Sequence, residues 1–298
     1  ALSTSNLAAL SSVQVQALTT AQIVALTDTQ ITNMNTVTLQ SLTVKQVAVL
    51  ETSDVVSLGS TKVTSLSSTQ LRAMNTAQIA ALTTAQLGSL GASQLNLLKA
   101  EQLLGVNSSK LNDLTTEVLR ALTAAQVGVL TTEQFAGLST TALSSISTSA
   151  MAQLNTKQIA SLTTLQVSSL SSTSVQALSA AQLAAMETAD LAVLGAVALR
   201  ALSIDQIASL TQDQVVALTL TQLNGLTTNQ VSALTTDQLV VIETADLARL
   251  SVTQLSALTG EQVSALLNEQ TVSLTVAQVK GLPTSQVMSL TTDQVVAM

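Results

Sequence analysis

Large apolar side chains recur along this chain at spacings of five and then three residues, with no insertion or deletion from Leu2 to Ala297. The unit is an octad, Leu-Thr-Thr-x-Gln-Val-x-Ala, repeated 37 times, and Met298 opens another in the same phase. Leu18 to Ala25 and Leu290 to Ala297 show it nearly pure. Numbered from its leucine, position 1 is aliphatic in all 37 units. Position 6 is apolar in 36, with Thr271 the exception, and position 8 is mostly Ala, Ser or Gly. A fixed short period marks a solenoid, in which each unit buries itself only against its neighbours.

The spacing predicts helix. Odd steps would put positions 1 and 6 on opposite faces of a strand, whereas three residues from position 6 to the next position 1 fit one helix face. One continuous helix fails. At ~100° per residue, eight residues overshoot two turns by ~80°, so the leucine stripe would circle the helix. The chain must therefore stop and restart its helix in every octad.

Position 2 shows where the restart falls. It is Ser or Thr in 24 units and Asn in four more, Asn35, Asn75, Asn107 and Asn155, all favoured helix N-caps. Position 5, three residues on, is Gln in 25 units, and Ser/Thr-x-x-Gln is a capping box. Charges agree: 16 of the 17 acids occupy positions 2 to 5, with Asp113 apart. Arg72, Arg120, Arg200, Arg249 and Lys280 sit at positions 7 and 8, as a short helix dipole favours. Lys45, Lys62, Lys99, Lys110 and Lys157 depart from that trend. The single proline, Pro283, stands at position 2, where a helix entrance tolerates it.

The expected fold is all-α: a solenoid of one- to two-turn helices, one per octad over positions 3 to 8, forming an elongated rod. Residues 1–298 read as one continuous domain, because no linker or charge block interrupts the phase. Odd and even octads look alike, so two or three helices per superhelical turn both fit. With layers ~9 Å apart the rod would run on the order of 100–170 Å. The chain starts and stops inside the repeat, and is expected to be a stretch of a larger protein with its end-caps elsewhere.

Composition narrows function mainly by exclusion. Phe135 is the sole aromatic residue, and His, Cys, Trp and Tyr are absent, so the core must be thin. A net charge of −7 without stacking aromatics does not suit a nucleic-acid binder. Without His or Cys, the usual nucleophile pairs and zinc sites cannot be built; no enzyme, catalytic residue or cofactor is expected. The longest apolar run, Leu191 to Leu199, is far below the ~20 residues of a membrane helix.

Three units carry Glu-Thr-x-Asp: Glu51 with Asp54, Glu187 with Asp190, and Glu243 with Asp246. The plain reading is an acidic cap favoured by the helix dipole. The sharper one is a calcium site at these six residues, for which two carboxylates per unit are too few ligands. Paired hydroxyls such as Thr19-Thr20, Thr83-Thr84, Thr227-Thr228 and Thr235-Thr236 read as caps and first-turn residues, or as an array that meets ice, glycan or another surface. Gln at position 5 fits a capping partner or a stacked ladder.

Units such as Leu18 to Ala25 and Leu290 to Ala297 resemble the Leu-Thr-x-x-Gln-Val/Ile-x-x tracts of very long bacterial repeat proteins described as adhesin-like or haemolysin-like. The resemblance covers the whole chain and implies a secreted or cell-surface bacterial setting. The functional expectation is a structural protein, the repetitive shaft of an extracellular filament or giant adhesin. It would associate with itself laterally or end to end; the alternative is a binding module with a hydroxyl-rich face.

Overall fold

A computed structural model describes residues 3–298, which hold 36 α-helices and one 3-10 helix, one helical segment per octad, and no strand. Typical helices are Thr20–Val24, Ala124–Gly128 and Gln212–Val216, spanning positions 3 to 7. Each begins where the sequence places the cap. Thr19 is extended at φ −69°, ψ 157°, and its side chain accepts from the Gln22 N–H. Each ends because position 1 leaves helical space: Leu42 and Leu66 lie at φ −60°, ψ 134° and φ −62°, ψ 137°. Two successive extended residues, positions 1 and 2, make the corner between helices.

The described residues divide after Gln153 into two compact units, the second being 154–298. Within each, a helix packs mainly on those three segments before and after it. Ser12–Ala17 meets Thr36–Ser41 in the first unit, and Gly260–Ala265 meets Thr284–Ser289 in the second. Three octads, or 24 residues, therefore complete one superhelical turn, which decides between the two arrangements the sequence allowed. The core is the double row the pattern marks. Position 6 residues such as Ile79, Phe135 and Leu239 are fully buried, and position 1 residues such as Leu82, Val106 and Met186 lie beside them.

Small residues at position 8 fit against position 3 of the preceding turn. A Cβ added to Gly105 would stand 3.0 Å from Cγ2 of Thr76, and one added to Gly281 would overlap Cγ1 of Val252. Two corners differ. Leu58 and Leu90 stay helical at ψ −33° and −27°, and the chain turns through Gly59 and Gly91 at φ 71° and 65°. That left-handed geometry favours glycine.

Candidate functional site: the capping lattice between turns

A five-residue helix is nearly all ends. Its first four N–H and last four C=O groups have no intrahelical partner, so stacking such helices in a dry core would orphan most of the backbone. The position 5 glutamine answers this from both sides. In Gln78 the backbone N–H donates to Oδ1 of Asn75 at 2.9 Å, while Oε1 accepts from the Asn75 N–H at 2.8 Å. The remaining amide Nε2 donates downward, to the carbonyls of Val47 at 2.9 Å and Leu50 at 2.7 Å in the preceding turn. Gln214 repeats this with Leu183 and Met186, both at 2.8 Å. The acceptors lie 31 and 28 residues back, at the C-terminal end of one helix and at the next corner. One buried side chain thus caps the start of its own helix and the end of another, so the capping partner and the ladder are the same residue.

Substitutions at position 5 obey the same geometry. Lys110 sends its ammonium to the carbonyls of Ala80 at 2.5 Å and Leu82 at 2.7 Å, and Lys62 donates to that of Thr32. These two lysines lie in the last turn of their own short helices and also meet carbonyls of the helix below, both placements that a helix dipole favours. Where Leu58 is helical, its carbonyl is lost as a target, and Gln86 donates to Val55 at 2.9 Å and Val56 at 3.1 Å instead. Proline at position 2 has a cost the sequence does not announce. Pro283 has no N–H, and Oε1 of Gln286 is a buried acceptor without a partner.

The acidic units occupy this lattice too, and they are not three copies of one arrangement. Asp54 Oδ2 accepts from the Glu51 N–H at 2.9 Å, but a carboxylate has no hydrogen for the turn below. Asp54 and Asp190 are 2% and 3% exposed. Burial pushes both carboxyls above the usual 3.8; Glu51 and Asp28 add repulsion at Asp54, as Glu187 does at Asp190. Asp246 differs from both, being only half-buried. In other respects it matches Asp190: each backbone N–H donates to the carbonyl of its unit's glutamate at 3.0 Å, and neither Glu187 nor Glu243 makes a side-chain cap bond.

Glu51 and Asp54, Glu187 and Asp190, and Glu243 and Asp246 each sit within a single cap, two carboxylates at a time. No group of three or more potential metal-ligating His, Cys, Asp or Glu side chains occurs among the described residues. No helix of the described residues is long and apolar enough to cross a membrane. The position 2 hydroxyls are engaged as caps; those of position 3 stand outside them.

Comparison with known families finds the ALTTAQ repeat at residues 1–28, 47–84, 108–140, 183–220 and 239–276, together more than half of the chain. The chain belongs to the ALTTAQ repeat family. A search of curated proteins finds no match. The six letters of the family run from position 8 of one octad to position 5 of the next, as in Ala81-Leu82-Thr83-Thr84-Ala85-Gln86. In structural terms, an ALTTAQ segment holds the small packing residue, the corner leucine, the cap and the glutamine that ties one turn to the previous one.

Proposed function

We propose that this ALTTAQ chain is a non-enzymatic structural element, the repetitive shaft of a bacterial extracellular filament or giant adhesin. The observation that supports this reading is the lattice of Gln78 and Gln214 and their equivalents. The most specific polar groups of the repeat are directed at joining one turn to the next, which suits length and stiffness. The bacterial and cell-surface setting comes from the sequence resemblance. Imaging the native protein on intact cells tests it: surface fibres labelled by an antibody to the repeat are expected, and exclusively cytosolic label would remove the reading.

A second reading, a binding module, draws on one feature of residues 1–153. Position 3 carries a hydroxyl at Ser12, Thr36, Ser60, Thr84, Ser108 and Thr132, each one superhelical turn of sequence after the last. Such a column could meet ice, glycan or another regular surface. Thr36→Val, Thr84→Val and Thr132→Val together leave every position 2 cap intact. Loss of binding to an ice or glycan surface would support this reading; equal binding would remove it.

A further inference from the structure

Two buried carboxyls stand where the lattice needs a donor. Gln182 donates to the carbonyl of Leu154 at 2.7 Å and Gln206 to that of Leu178 at 2.6 Å, each 28 residues back. The same offset from Asp190 gives Leu162, and its helix, Thr188–Val193, packs on Thr164–Ser168 beside that corner. The Leu162 carbonyl accepts from no described residue, and neither do the carboxyl oxygens of Asp190, although its side chain is buried. Asp54 repeats the arrangement over Leu26, with Thr52–Ser57 packed on Asp28–Asn33. One of its oxygens takes the Glu51 N–H at 2.9 Å; the other, like the Leu26 carbonyl, has no donor among the described residues. Oxygen thus faces oxygen between turns without a hydrogen to share. Glu187 and Glu51 add a second carboxylate at each place, close enough to repel the aspartate of the same unit.

Aspartate is one methylene shorter than glutamine, so the distance that a Gln amide closes by a hydrogen bond widens here. A hard cation fits such a gap. Calcium takes carboxylate, backbone carbonyl and water oxygens together, at ~2.3–2.6 Å from each, and so holds two oxygens farther apart than a hydrogen bond does. We propose that Asp190 and Glu187 with the Leu162 carbonyl, and Asp54 and Glu51 with the Leu26 carbonyl, each hold one calcium ion between turns, with water filling the remaining positions. The turn below supplies the oxygen ligands that two carboxylates lack. Each ion offsets both charges and ties its turn to the preceding one, as the amide hydrogens of Gln do elsewhere. Asp246 is half-buried, so water reaches its carboxyl and no ion is assigned to it. The inference goes beyond the shaft reading and does not rest on it.

Equilibrium dialysis of the 298-residue chain against labelled calcium chloride at constant ionic strength, with melting followed by circular dichroism, tests it. Saturable uptake of two ions per chain is expected, with a Kd on the order of 10⁻⁴–10⁻³ M. At ten times that Kd the melting midpoint should rise by about 3–6 °C. Magnesium, which demands near-octahedral geometry and gives up water reluctantly, should raise it less. Asp190→Asn puts a neutral amide in the gap, removing the ion while offering the Leu162 carbonyl a donor. It should bind one ion, and Asp54→Asn with Asp190→Asn none, both with unchanged helical circular dichroism. No saturable uptake below ~10⁻² M calcium, or uptake by the double variant equal to that of wild type, overturns the proposal. A chain stabilised by acid but not by calcium overturns it too, and assigns a proton to each gap. The shaft reading is decided separately, by the cellular imaging.

Discussion

At the residue scale, the informative side chain is the position 5 glutamine, because it must be acceptor and donor at once. Gln214→Ala would orphan the Thr211 N–H on one side and the carbonyl of Met186 on the other, and would leave the Leu183 carbonyl to backbone N–H groups alone. Buried unsatisfied groups cost ~1–3 kcal/mol each, and relaxation recovers part of that, so a loss of about 3 kcal/mol by urea denaturation is expected. A loss below about 1 kcal/mol would mean that the lattice bonds carry little. The converse holds at Pro283. Pro283→Thr supplies an N–H for Oε1 of Gln286 and a hydroxyl for the Gln286 N–H. The N-cap is worth ~1 kcal/mol and the rescued acceptor a similar amount, less the ~0.4–1 kcal/mol of chain entropy that proline removes from the unfolded state. A net gain of about 1–2 kcal/mol is expected, with slower hydrogen exchange through Thr284–Ser289; faster exchange would contradict the assignment.

At the scale of the helix and its neighbour, what faces what decides two outcomes. Gly281→Ala drives a Cβ into Cγ1 of Val252, a β-branched side chain with little freedom to turn away. It should lower stability by about 1–3 kcal/mol, and Val252→Ala in the same chain should restore most of it. Failure of that rescue would place the strain elsewhere. The second concerns acidity. Asp54 and Asp190 have carboxyls raised above 3.8 chiefly by burial, so the folded chain holds these protons more tightly than the unfolded one. Their contribution to stability is complete below pH 3.8 and is lost as pH rises through the raised folded values. Asp54→Asn with Asp190→Asn replaces a titrating group by a neutral amide. The variant's advantage in urea midpoint should therefore be larger at about pH 7 than at about pH 4; equal differences at the two pH values would refute this account.

These acidic units also show what the sequence could reveal. Ser/Thr-x-x-Gln is a relation over three residues, and its helix starts are legible from the sequence. The bonds 28 and 31 residues back join octads that all look alike, so the same string fits two or three helices per turn. Lys62 and Lys110 looked anomalous for that reason: their acceptors belong to another turn. Asp246 is the reverse case. Its unit reads Glu-Thr-Ala-Asp exactly as the unit of Asp190 does, yet Asp190 is buried and Asp246 half-buried. What covers an acid in this fold is set by the turns stacked on it, which a four-residue motif does not contain.

At the scale of the whole molecule, equivalence of the octads becomes a testable property. In a lattice where each glutamine reaches a fixed number of units back, removing one complete octad moves every later unit down one place and offers it the same acceptors. With Leu226 to Ala233 deleted, Gln238 would lose Ile207 and Leu210 and find Leu199 and Leu202, which Gln230 uses in the intact chain. Stability in such arrays is nearly a sum over units and their interfaces. The deletion should thus leave helicity per residue unchanged and shift the melting midpoint by only about a few degrees. Removing only Leu226 to Asn229 is a smaller cut with a larger effect. It brings Gln230 against Gly225, destroys one capping box and breaks the spacing of positions 1 and 6 at that point. Because each turn within residues 154–298 seats on the one before it in that unit, the fault cannot be absorbed locally. A broadened, lower transition is expected by circular dichroism. If the four-residue deletion melted like the eight-residue one, fixed octad register would not be what holds the turns together.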